Sequence, residues 1–418
     1  MLNFDCFQYG YKKITSKNRC LLLCFIFLIG EMPENSYATS DDSFKPYVAS
    51  MLLYDSNFLR APNNIGSDNF SDKNHKSEFL KQIAAGFNMD WRISRQHFII
   101  KANVNENWFQ NFNSLNYLGW NTEANWNWKT GSKLSGEISY ANIQELANFN
   151  FLNRLVNNLR NQQNFFVSAG YLFHPNGRIK FDLFRTESKF DDNSRRFNTN
   201  IENNAKINLQ YLSPTGSSLG LQTIATDGKF PNRVLTAGST FDNTYTRMNY
   251  AVTWNWLISS KTDIGGLIGY THQNYQHFSA RDFSDVIGVF NLNWRLTDKT
   301  RLKLSTRREI EQFVDLASDF LLNQGVWLDI SWQFSPKIYL TLPIGYQHQQ
   351  FLGKSGIGNA DSNQRKDDVG NVGLNLSYHL LDSINTSVIF NYEKRRSNEP
   401  FRNYQTLSAT VNLQANFH

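Results

Sequence analysis

Residues 407–417 read LSATVNLQANF and decide the fold. The odd positions carry Leu407, Ala409, Val411, Leu413, Ala415 and Phe417, and the even positions carry Ser408, Thr410, Asn412, Gln414 and Asn416. Successive side chains of a β-strand point to opposite faces, so this period of two predicts a strand with one apolar and one polar face. Such a strand is suited to lie between lipid and water.

Four upstream segments repeat the alternation and carry aromatic residues near their ends. Their apolar positions are Leu118, Trp120, Ala124, Trp126 and Trp128; Met248, Tyr250, Val252, Trp254 and Trp256; Val326, Leu328, Ile330, Trp332 and Phe334; and Ile384, Val388, Phe390 and Tyr392. A half-buried sheet of a soluble protein would also alternate, but Trp and Tyr rings at strand ends suit a membrane interface. The pattern predicts an all-β fold, a transmembrane antiparallel outer-membrane β-barrel.

The composition fits a barrel better than several soluble domains. The chain has 418 residues, of which 15% are aromatic, and 9 are prolines. Its mean hydropathy is −0.49, because a membrane barrel spreads apolar residues along every strand in alternation with polar ones. The net charge of +6 is mild and no basic stripe is clustered, which argues against nucleic acid as a partner.

Short turn signals alternate along the chain with longer polar connections. The turns are at Ser94-Arg95, Gly131-Ser132, Pro175-Asn176-Gly177, Pro214-Thr215-Gly216, Ser259-Ser260, Asp298-Lys299, Ser335-Pro336 and Leu381-Asp382. The connections are near 55–76, 110–116, 146–161, 189–202, 227–243, 276–283, 314–322, 350–368 and 396–402. Short periplasmic turns and long extracellular loops are typical of outer-membrane barrels. The alternation predicts about 18 strands, with 16 as the alternative, and both termini in the periplasm.

Residues 1–38 have the features of a secretory signal peptide. A basic region around Lys12 and Lys13 precedes the apolar segment Cys20–Gly30, and Ser36-Tyr37-Ala38 forms a small-x-small cleavage site. A retained anchor helix is the alternative. All 3 cysteines fall within this segment, so the remaining chain, residues 39–418, is predicted to be a cysteine-free barrel in the outer membrane of a Gram-negative bacterium.

No arrangement of residues indicates catalysis. The 8 histidines are scattered without an HExxH motif, and no GxSxG, P-loop or GxGxxG motif occurs between a strand and a helix. A Ser–His pair on neighbouring strands would leave no spacing signal, and nothing in the sequence points to one. We expect no catalytic residue, no cofactor and no metal site, and hence a protein that is not an enzyme.

The polar faces of the strands supply the candidate site. The candidate lumen-facing residues are Lys101, Asn103, Asn105, Arg295, Arg301, Lys303, Arg307, Asp329 and Tyr339. One interpretation is that these mixed charges and amides hydrate and brace a wide lumen. The other is a path for a polar solute or polymer, in which amides exchange hydrogen bonds with hydroxyl groups, Tyr339 and Trp327 stack on sugar rings, and basic residues attract carboxylates.

The N-terminal part of the predicted barrel resembles the EpsL family of outer-membrane proteins. The resemblance rests on Phe44-Lys45-Pro46-Tyr47 and on residues 54–62, YDSNFLRAP, with weaker similarity at Ser94-Arg95-Gln96 and from Leu115 to Trp128. Phe58 and Leu59 are interchanged relative to the commoner order. The resemblance implies a barrel for exopolysaccharide biosynthesis and export, with the exported polysaccharide, outer-membrane lipid and periplasmic polysaccharide export proteins as partners. It implies no catalytic residues.

Two other functions remain open from the sequence. One is an uptake porin for small polar solutes, and the other is a non-conducting barrel that acts as a scaffold or adhesin in a secretion complex. The segment 54–62 also has a purely local interpretation. Asp55 and Asn57 suit Asx turns, and Pro62 would end the strand.

Overall fold

The structure is a computed structural model that describes residues 43–62, 76–149, 155–193, 195–237, 239, 241–315, 318–352 and 365–417. The predicted signal segment 1–38 lies outside the described residues, as does the centre of the connection 350–368. The division into a signal peptide and a barrel therefore remains a prediction at its N-terminal end.

Eighteen antiparallel strands form one sheet. They are β1 (Phe44–Asp55), β2 (Glu78–Ile93), β3 (Gln96–Phe109), β4 (Tyr117–Thr130), β5 (Leu134–Leu146), β6 (Leu159–His174), β7 (Gly177–Phe190), β8 (Asn200–Leu212), β9 (Ser218–Lys229), β10 (Thr244–Ser259), β11 (Thr262–Tyr275), β12 (Phe283–Arg295), β13 (Thr300–Asp315), β14 (Ser318–Ser335), β15 (Ile338–Leu352), β16 (Lys366–Leu381), β17 (Ile384–Ser397) and β18 (Tyr404–Asn416). Single turns of 3-10 helix lie at Asn113–Leu115, Arg196–Asn198, Ser279–Arg281 and Pro400–Arg402.

The sheet closes on itself between its first and last strands. Each strand pairs with the next, and β1 also pairs with β18, from Tyr47 opposite Asn416 to Asp55 opposite Ser408. The Phe417 N–H donates to the Pro46 carbonyl at 2.8 Å, which extends this pairing to the chain ends. Closure pairs the first strand with the last, so the sheet has no free terminal strand. The predicted barrel of about 18 strands is confirmed.

The connections divide between the two ends of the barrel. Eight connections of two to five residues lie at one end, here the turn end, together with the start of β1 and the end of β18. Three of these turns contain a residue with positive φ: Ser94 (54°), Gly131 (61°) and Gly216 (89°). The nine other connections lie at the opposite end, the loop end. All eight short turns were placed correctly from the sequence.

One long connection was predicted wrongly. Residues 314–322 were expected to form a loop, but β13 runs to Asp315 and β14 begins at Ser318. The two strands stay paired at Gln312 opposite Phe320 and again at Asp315 opposite Ser318. The hairpin therefore extends the sheet, because the two strands pair on both sides of residues 316–317, within the segment that was expected to be a loop.

The outer face of the barrel is apolar and carries two aromatic belts. Exposed aliphatic side chains there include Val48, Leu52, Ile207, Leu209, Leu221, Val252, Ile268, Val411 and Leu413. Trp126, Trp256, Trp294 and Trp332 lie towards the turn end, and Tyr250, Tyr270, Tyr346 and Tyr392 towards the loop end. Aromatic girdles on both sides of an apolar band fit a bilayer, and a closed sheet can span one because its backbone groups are paired. None of the helices in the described residues is long and apolar enough to cross a membrane.

Candidate functional site

The inner face of β1 is apolar, unlike most of the barrel interior. Tyr47, Ala49, Met51 and Leu53 occupy alternate positions and are all buried. Apolar side chains facing a polar lumen would contact water unless another segment covered them. The segment that follows β1, Ser56–Pro62, covers the upper part of this face, and we call it the inner loop.

The inner loop lies inside the barrel. The Phe58 ring packs 5.3 Å from that of Phe109 and 5.5 Å from that of Phe149, measured between centroids. Phe109 shares the inward face of β3 with Asn105 and Asn107. The buried apolar cluster around Phe58 consists of Met51, Leu53, Leu59, Leu80, Phe109, Phe112, Leu115, Leu146 and Phe149. A small hydrophobic core therefore occupies the side of the lumen next to β1–β5, near the loop end.

Hydrogen bonds to two side chains fix the turn of the inner loop. The Asp55 carboxylate accepts from the Asn57 N–H at 2.8 Å, and the Asn57 amide binds both the N–H and the carbonyl of Ala61, at 2.8 and 2.9 Å. Arg60 has a φ of 56°, in the left-handed region. The Asx turn predicted at Asp55 is present. Pro62 does not end the strand, because β1 has already ended at Asp55.

Buried charges hold the inner loop to the last strands. Arg60 donates to the Asp55 carboxylate at 2.8 Å, and its Nε lies 3.9 Å from the Glu393 carboxylate. Burial alone would lower the pKa of Arg60, but the negative charges of Asp55 and Glu393 outweigh this effect and raise it above its ordinary value. Arg60 therefore remains charged inside the barrel. On the neighbouring strands Asp367 pairs with Arg365 and lies 3.6 Å from Arg395.

The inner loop also bonds directly to β18 across the closing seam. The Ser56 N–H donates to the Leu407 carbonyl at 2.9 Å, and the Asn57 amide donates to the Gln405 carbonyl at 3.2 Å. The Thr406 hydroxyl donates to the Asp55 carboxylate at 2.6 Å. The motif at residues 54–62 thus joins the first strand to the last, and each of its polar side chains has a structural role in this junction.

The side chains of β13 to β15 form a different kind of wall, which we call the basic wall. It consists of Arg301, Lys303, Arg307, Trp327, Asp329 and Tyr339, all on the inward register of their strands. Arg301 and Lys303 are exposed although they point into the barrel. The Arg307 guanidinium lies 5.2 Å from the Trp327 ring centroid, an arrangement that favours a cation–π interaction.

Polar contacts orient the remaining groups of the basic wall. Lys303 and Asp329 are register partners, so their side chains are neighbours on the inner face. The Tyr339 hydroxyl accepts from the Gln333 amide at 3.0 Å, and its ring meets that of His379 edge-on, with centroids 5.7 Å apart. Exposed cations beside aromatic rings can attract an anion and contact an apolar part of the same solute.

The structure divides the nine predicted lumen-facing residues into three groups. Arg301, Lys303, Arg307, Asp329 and Tyr339 share the basic wall. Lys101, Asn103 and Asn105 lie on β3, which is six strands from β15 and eight strands from β13 by the shorter route around the barrel. Arg295 lies at the turn end, where its guanidinium donates to the Ser260 carbonyl.

Amides on the inner faces of β2 and β3 bind one another. Gln82 donates to Asn107 at 2.8 Å, Asn107 donates to Asn105 at 2.6 Å, and Asn105 donates to Asn103 at 3.4 Å. Asn107 is 0% exposed and Asn105 is 9% exposed. Asn105 was proposed as part of a solute path, but its burial within this ladder indicates that it braces the wall.

A buried polar cluster around Asp182 joins β6, β7 and β8. The sequence did not predict that its members interact. The Asp182 carboxylate accepts from the Ser168 hydroxyl at 2.6 Å and from the Lys206 ammonium at 2.6 Å, and the Lys180 ammonium lies 3.6 Å away. Asp182 is completely buried. Its three partners come from three strands, so only the register of the sheet brings them together.

The buried carboxylate of Asp242 holds two loops together at the loop end. It accepts from the backbone N–H groups of His277 and Phe278, at 2.6 and 3.1 Å, and contacts the His277 ring at 2.9 Å. Burial would raise the pKa of Asp242, but these hydrogen bonds and those from Asn243 and Thr244 favour the charged form, so the pKa lies below its ordinary value. Within the described residues, no group of three or more His, Cys, Asp or Glu side chains is placed to hold a metal ion.

One protein-family model matches the C-terminal part of the chain. The family described as "Putative beta-barrel porin 2" matches residues 261–417, which include β11 to β18 and the whole basic wall. No curated protein matches the sequence.

Several solved structures have a similar backbone. OpdK from Pseudomonas aeruginosa, determined with vanillate, is 10% identical, with 90% of this chain and 99% of that chain covered and a TM-score of 0.48. A BenF-like porin from Pseudomonas fluorescens Pf-5 is 9% identical, with the same coverage and TM-score. OccK2 (OpdF) from Pseudomonas aeruginosa, in complex with glucuronate, is 10% identical, with 90% and 98% covered and a TM-score of 0.47.

These findings correct the functional expectation from the N-terminal motif. The resemblance to the EpsL family was wrong, because the matching family model describes a porin. The expected export of exopolysaccharide, with a polysaccharide and export proteins as partners, was therefore wrong, and the family match favours the porin alternative. The location in the outer membrane is confirmed, and the match to a porin family model agrees with the prediction that the protein is not an enzyme.

Proposed function

We propose that the protein is a porin, a passive outer-membrane channel through which small polar solutes diffuse into the periplasm. The observation that carries the proposal is the exposure of Arg301 and Lys303 on the inner face of a closed barrel. Side chains braced for structure alone would be buried, as Asp182 and Asn107 are. The match of β11 to β18 to a porin family supports the same function.

We further propose that the turn end faces the periplasm, with both termini there. Outer-membrane barrels have short turns on the periplasmic side and longer loops outside. The basic wall then lies along the path of a solute that enters from the loop end. Its cations raise the local concentration of anions, so small organic anions should pass more readily than cations of the same size.

Conductance in planar bilayers tests the proposal directly. The purified, refolded barrel should insert with discrete conductance steps and a preference for anions in a salt gradient. Proteoliposomes should swell in isotonic solutions of small sugars and organic acids, whereas protein-free liposomes should not. A folded, heat-modifiable barrel that conducts no ions and causes no swelling would contradict the porin function and favour a scaffold.

A further inference from the structure

The ladder between β12 and β13 ends before either strand does. The two strands pair from Arg295 opposite Arg301 up to Gly288 opposite Arg308. β12 continues to Phe283, still paired with β11, and β13 continues to Asp315, still paired with β14. The backbone of both strands is described throughout, and in it residues 283–287 of β12 have no ladder partner on β13. An unpaired strand edge in a membrane wall is costly unless another group covers it.

One arginine spans the opening. Arg308 is the last ladder residue of β13, on the same face as Leu302 and Leu304. Its Nε donates to the Val286 carbonyl at 3.1 Å, and its Nη2 donates to the Asp285 carboxylate at 2.6 Å. Both charged side chains are about one-third exposed, at 35% and 30%. The Arg308–Asp285 ion pair therefore lies where the backbone pairing is missing.

The opening is bounded on both sides. Below it is the last ladder pair, Gly288 and Arg308, and above it the rings of Phe283 and Phe320 stack with their centroids 4.1 Å apart. Phe320 belongs to β14, so this stack joins the strands on either side of β13. The result is a gap in the backbone ladder, here called the window, which the Arg308–Asp285 pair and the Phe283–Phe320 stack span among the described side chains.

The inner wall beside the window is apolar. Val289 and Leu267 are register partners on the inward face, and Ile287 lies next to them opposite Gly269. All three apolar side chains are half-buried. Apolar side chains at inward positions of a polar lumen contact water unless another group covers them. Among the described residues, none of these three side chains belongs to a buried apolar cluster. Arg307, the register partner of Val289, places a cation beside this patch.

The window lies at the level of a membrane interface. β13 begins at Thr300, and Arg308 is eight residues along it, about 20 Å above the turn end at roughly 3.3 Å per residue and a tilt of about 40°. Val286, within the opening, is the register partner of Tyr270 in the upper aromatic belt. Aromatic belts mark the depth at which hydrocarbon meets the polar headgroups.

We propose that this window is a lateral port, through which a small amphipathic carboxylic acid passes between the lumen and the bilayer. The apolar chain of the acid contacts Leu267, Ile287 and Val289, and its carboxylate displaces Asp285 from Arg308. Loss of the Arg308–Asp285 pair opens the wall. The acid leaves at the membrane interface, where its alkyl chain enters the hydrocarbon and its carboxylate stays among the polar headgroups. The port depends on the proposed function only in that the acid enters through the same lumen.

Photo-cross-linking tests where the acid binds. The probe is octanoic acid carrying a diazirine on its alkyl chain, and diazirine-bearing propionic acid serves as the short-chain control. The octanoic probe should label peptides that contain residues 262–270 and 283–289, and the short probe should not. Val289→Asn should reduce this labelling about tenfold, because a polar amide replaces part of the apolar surface that the alkyl chain contacts. Labelling confined to other peptides, or unaffected by Val289→Asn, overturns the port.

A reversible lock tests passage. Val286→Cys with Ile310→Cys places cysteines across the interrupted ladder at positions outside the proposed binding patch, and Ser377→Cys with Ser387→Cys is a matched control at a register pair of β16 and β17. The disulfide across the window should abolish uptake of radiolabelled octanoate by cells and leave conductance unchanged, and a reductant should restore uptake. The control disulfide should have no effect on either. A locked barrel that conducts and still takes up octanoate at the wild-type rate overturns the port.

The two proposals fail in different experiments. An absence of conductance in the wild-type barrel contradicts the porin function, and the cross-linking pattern then decides the port by itself. Normal conductance with no labelling of residues 262–270 and 283–289 leaves the porin function intact and overturns the port.

Discussion

The inner faces of β1 and β13, which are six strands apart around the barrel, differ in what covers them. Met51 and Leu53 of β1 are buried beneath the inner loop, whereas Arg301 and Lys303 of β13 are exposed to the lumen. The first face is apolar and behaves as a protein core, in which burial stabilises the fold. The second is charged and solvated, so its residues contribute little to stability and are available to a solute. The comparison separates residues that hold the barrel together from those that can act in permeation.

Cysteine labelling should show the largest difference between the covered face of β1 and the exposed face of β13. Met51→Cys should not react with a water-soluble maleimide in the folded barrel, because the inner loop excludes water from that face. Lys303→Cys should react readily. The chain from residue 43 onward contains no cysteine of its own, so each signal has one source. Mass spectrometry of the labelled protein gives the extent of reaction.

Two controls complete that experiment. Met51→Cys should become reactive after denaturation, which shows that folding protects it. Leu328→Cys faces outward and should be shielded by detergent or lipid, while Asp329→Cys, its neighbour on the inward face, should be labelled. Equal labelling of Met51→Cys and Lys303→Cys would mean that the inner loop does not cover β1.

Removing a buried charge should be the next largest effect. Asp55→Ala leaves Arg60 buried beside Glu393 without its main partner, and breaking a buried pair in this way typically costs about 3–5 kcal/mol. The midpoint of urea unfolding, followed by heat-modifiability on gels, measures the loss. Asp90→Ala is the control, because its pair with Arg92 is exposed and is worth about 0–1 kcal/mol. Similar midpoints for the two variants would refute the structural role of the inner loop.

Neutralising the basic wall should alter permeation and leave stability nearly unchanged. Replacement of Arg301, Lys303 and Arg307 by Gln removes three inward cations, and solvated charges contribute only about 0–1 kcal/mol each. Ion selectivity in planar bilayers should shift towards cations, since fewer anions are concentrated in the lumen. Replacement of Arg185 and Lys189, basic residues on the outer face of β7, by Gln is the control and should leave selectivity unchanged. A folded triple variant with wild-type selectivity would remove the basic wall from the path.

The Asp242 tether should give the smallest effect, confined to the loops. The pKa of Asp242 is lowered in the folded protein, so its stabilisation is fully present above the ordinary pKa of an aspartic acid and is lost as the pH falls through the lower, folded value. Limited proteolysis of the connections 230–243 and 276–282 should therefore begin only at strongly acidic pH, with an acid-active protease. Asp242→Asn should be cleaved at every pH, and wild-type cleavage unaffected by acid would argue against the tether.

The sequence predicted the sheet well, because the two faces of each strand appear in it as an alternation of apolar and polar residues. Alternation at Leu407 to Phe417 and at Val326 to Phe334 determined which side chains face lipid, and paired turn residues such as Ser335-Pro336 marked the hairpins. The apolar inner face of β1 was an available signal for the inner loop. Met51 and Leu53 share a face with Asp55, which a polar lumen cannot explain unless another segment covers them.

Other parts of the site depend on contacts that no local pattern records. The Ser168–Asp182–Lys206 brace joins three strands, and the Arg60–Glu393 pair joins residues far apart in the chain. The early end of the β12–β13 ladder leaves the alternation of both strands intact, so the sequence shows nothing unusual there. The motif at residues 54–62 was distinctive enough to suggest a family, yet its side chains serve the seam and do not identify what the lumen conducts.

The bonds between the inner loop and β18 also have a consequence for biosynthesis. A ribosome makes Asp55, Asn57 and Arg60 early and their partners Glu393, Tyr404 and Thr406 near the end, so the contacts across the seam can form only after almost the whole chain has been made. A truncated product that stops before Tyr404 keeps the Asp55–Arg60 pair but has no β18 to meet β1. We expect shortened proteins to remain open at the seam and to be degraded in the periplasm. Closure of the barrel therefore depends on synthesis of the polypeptide as far as β18.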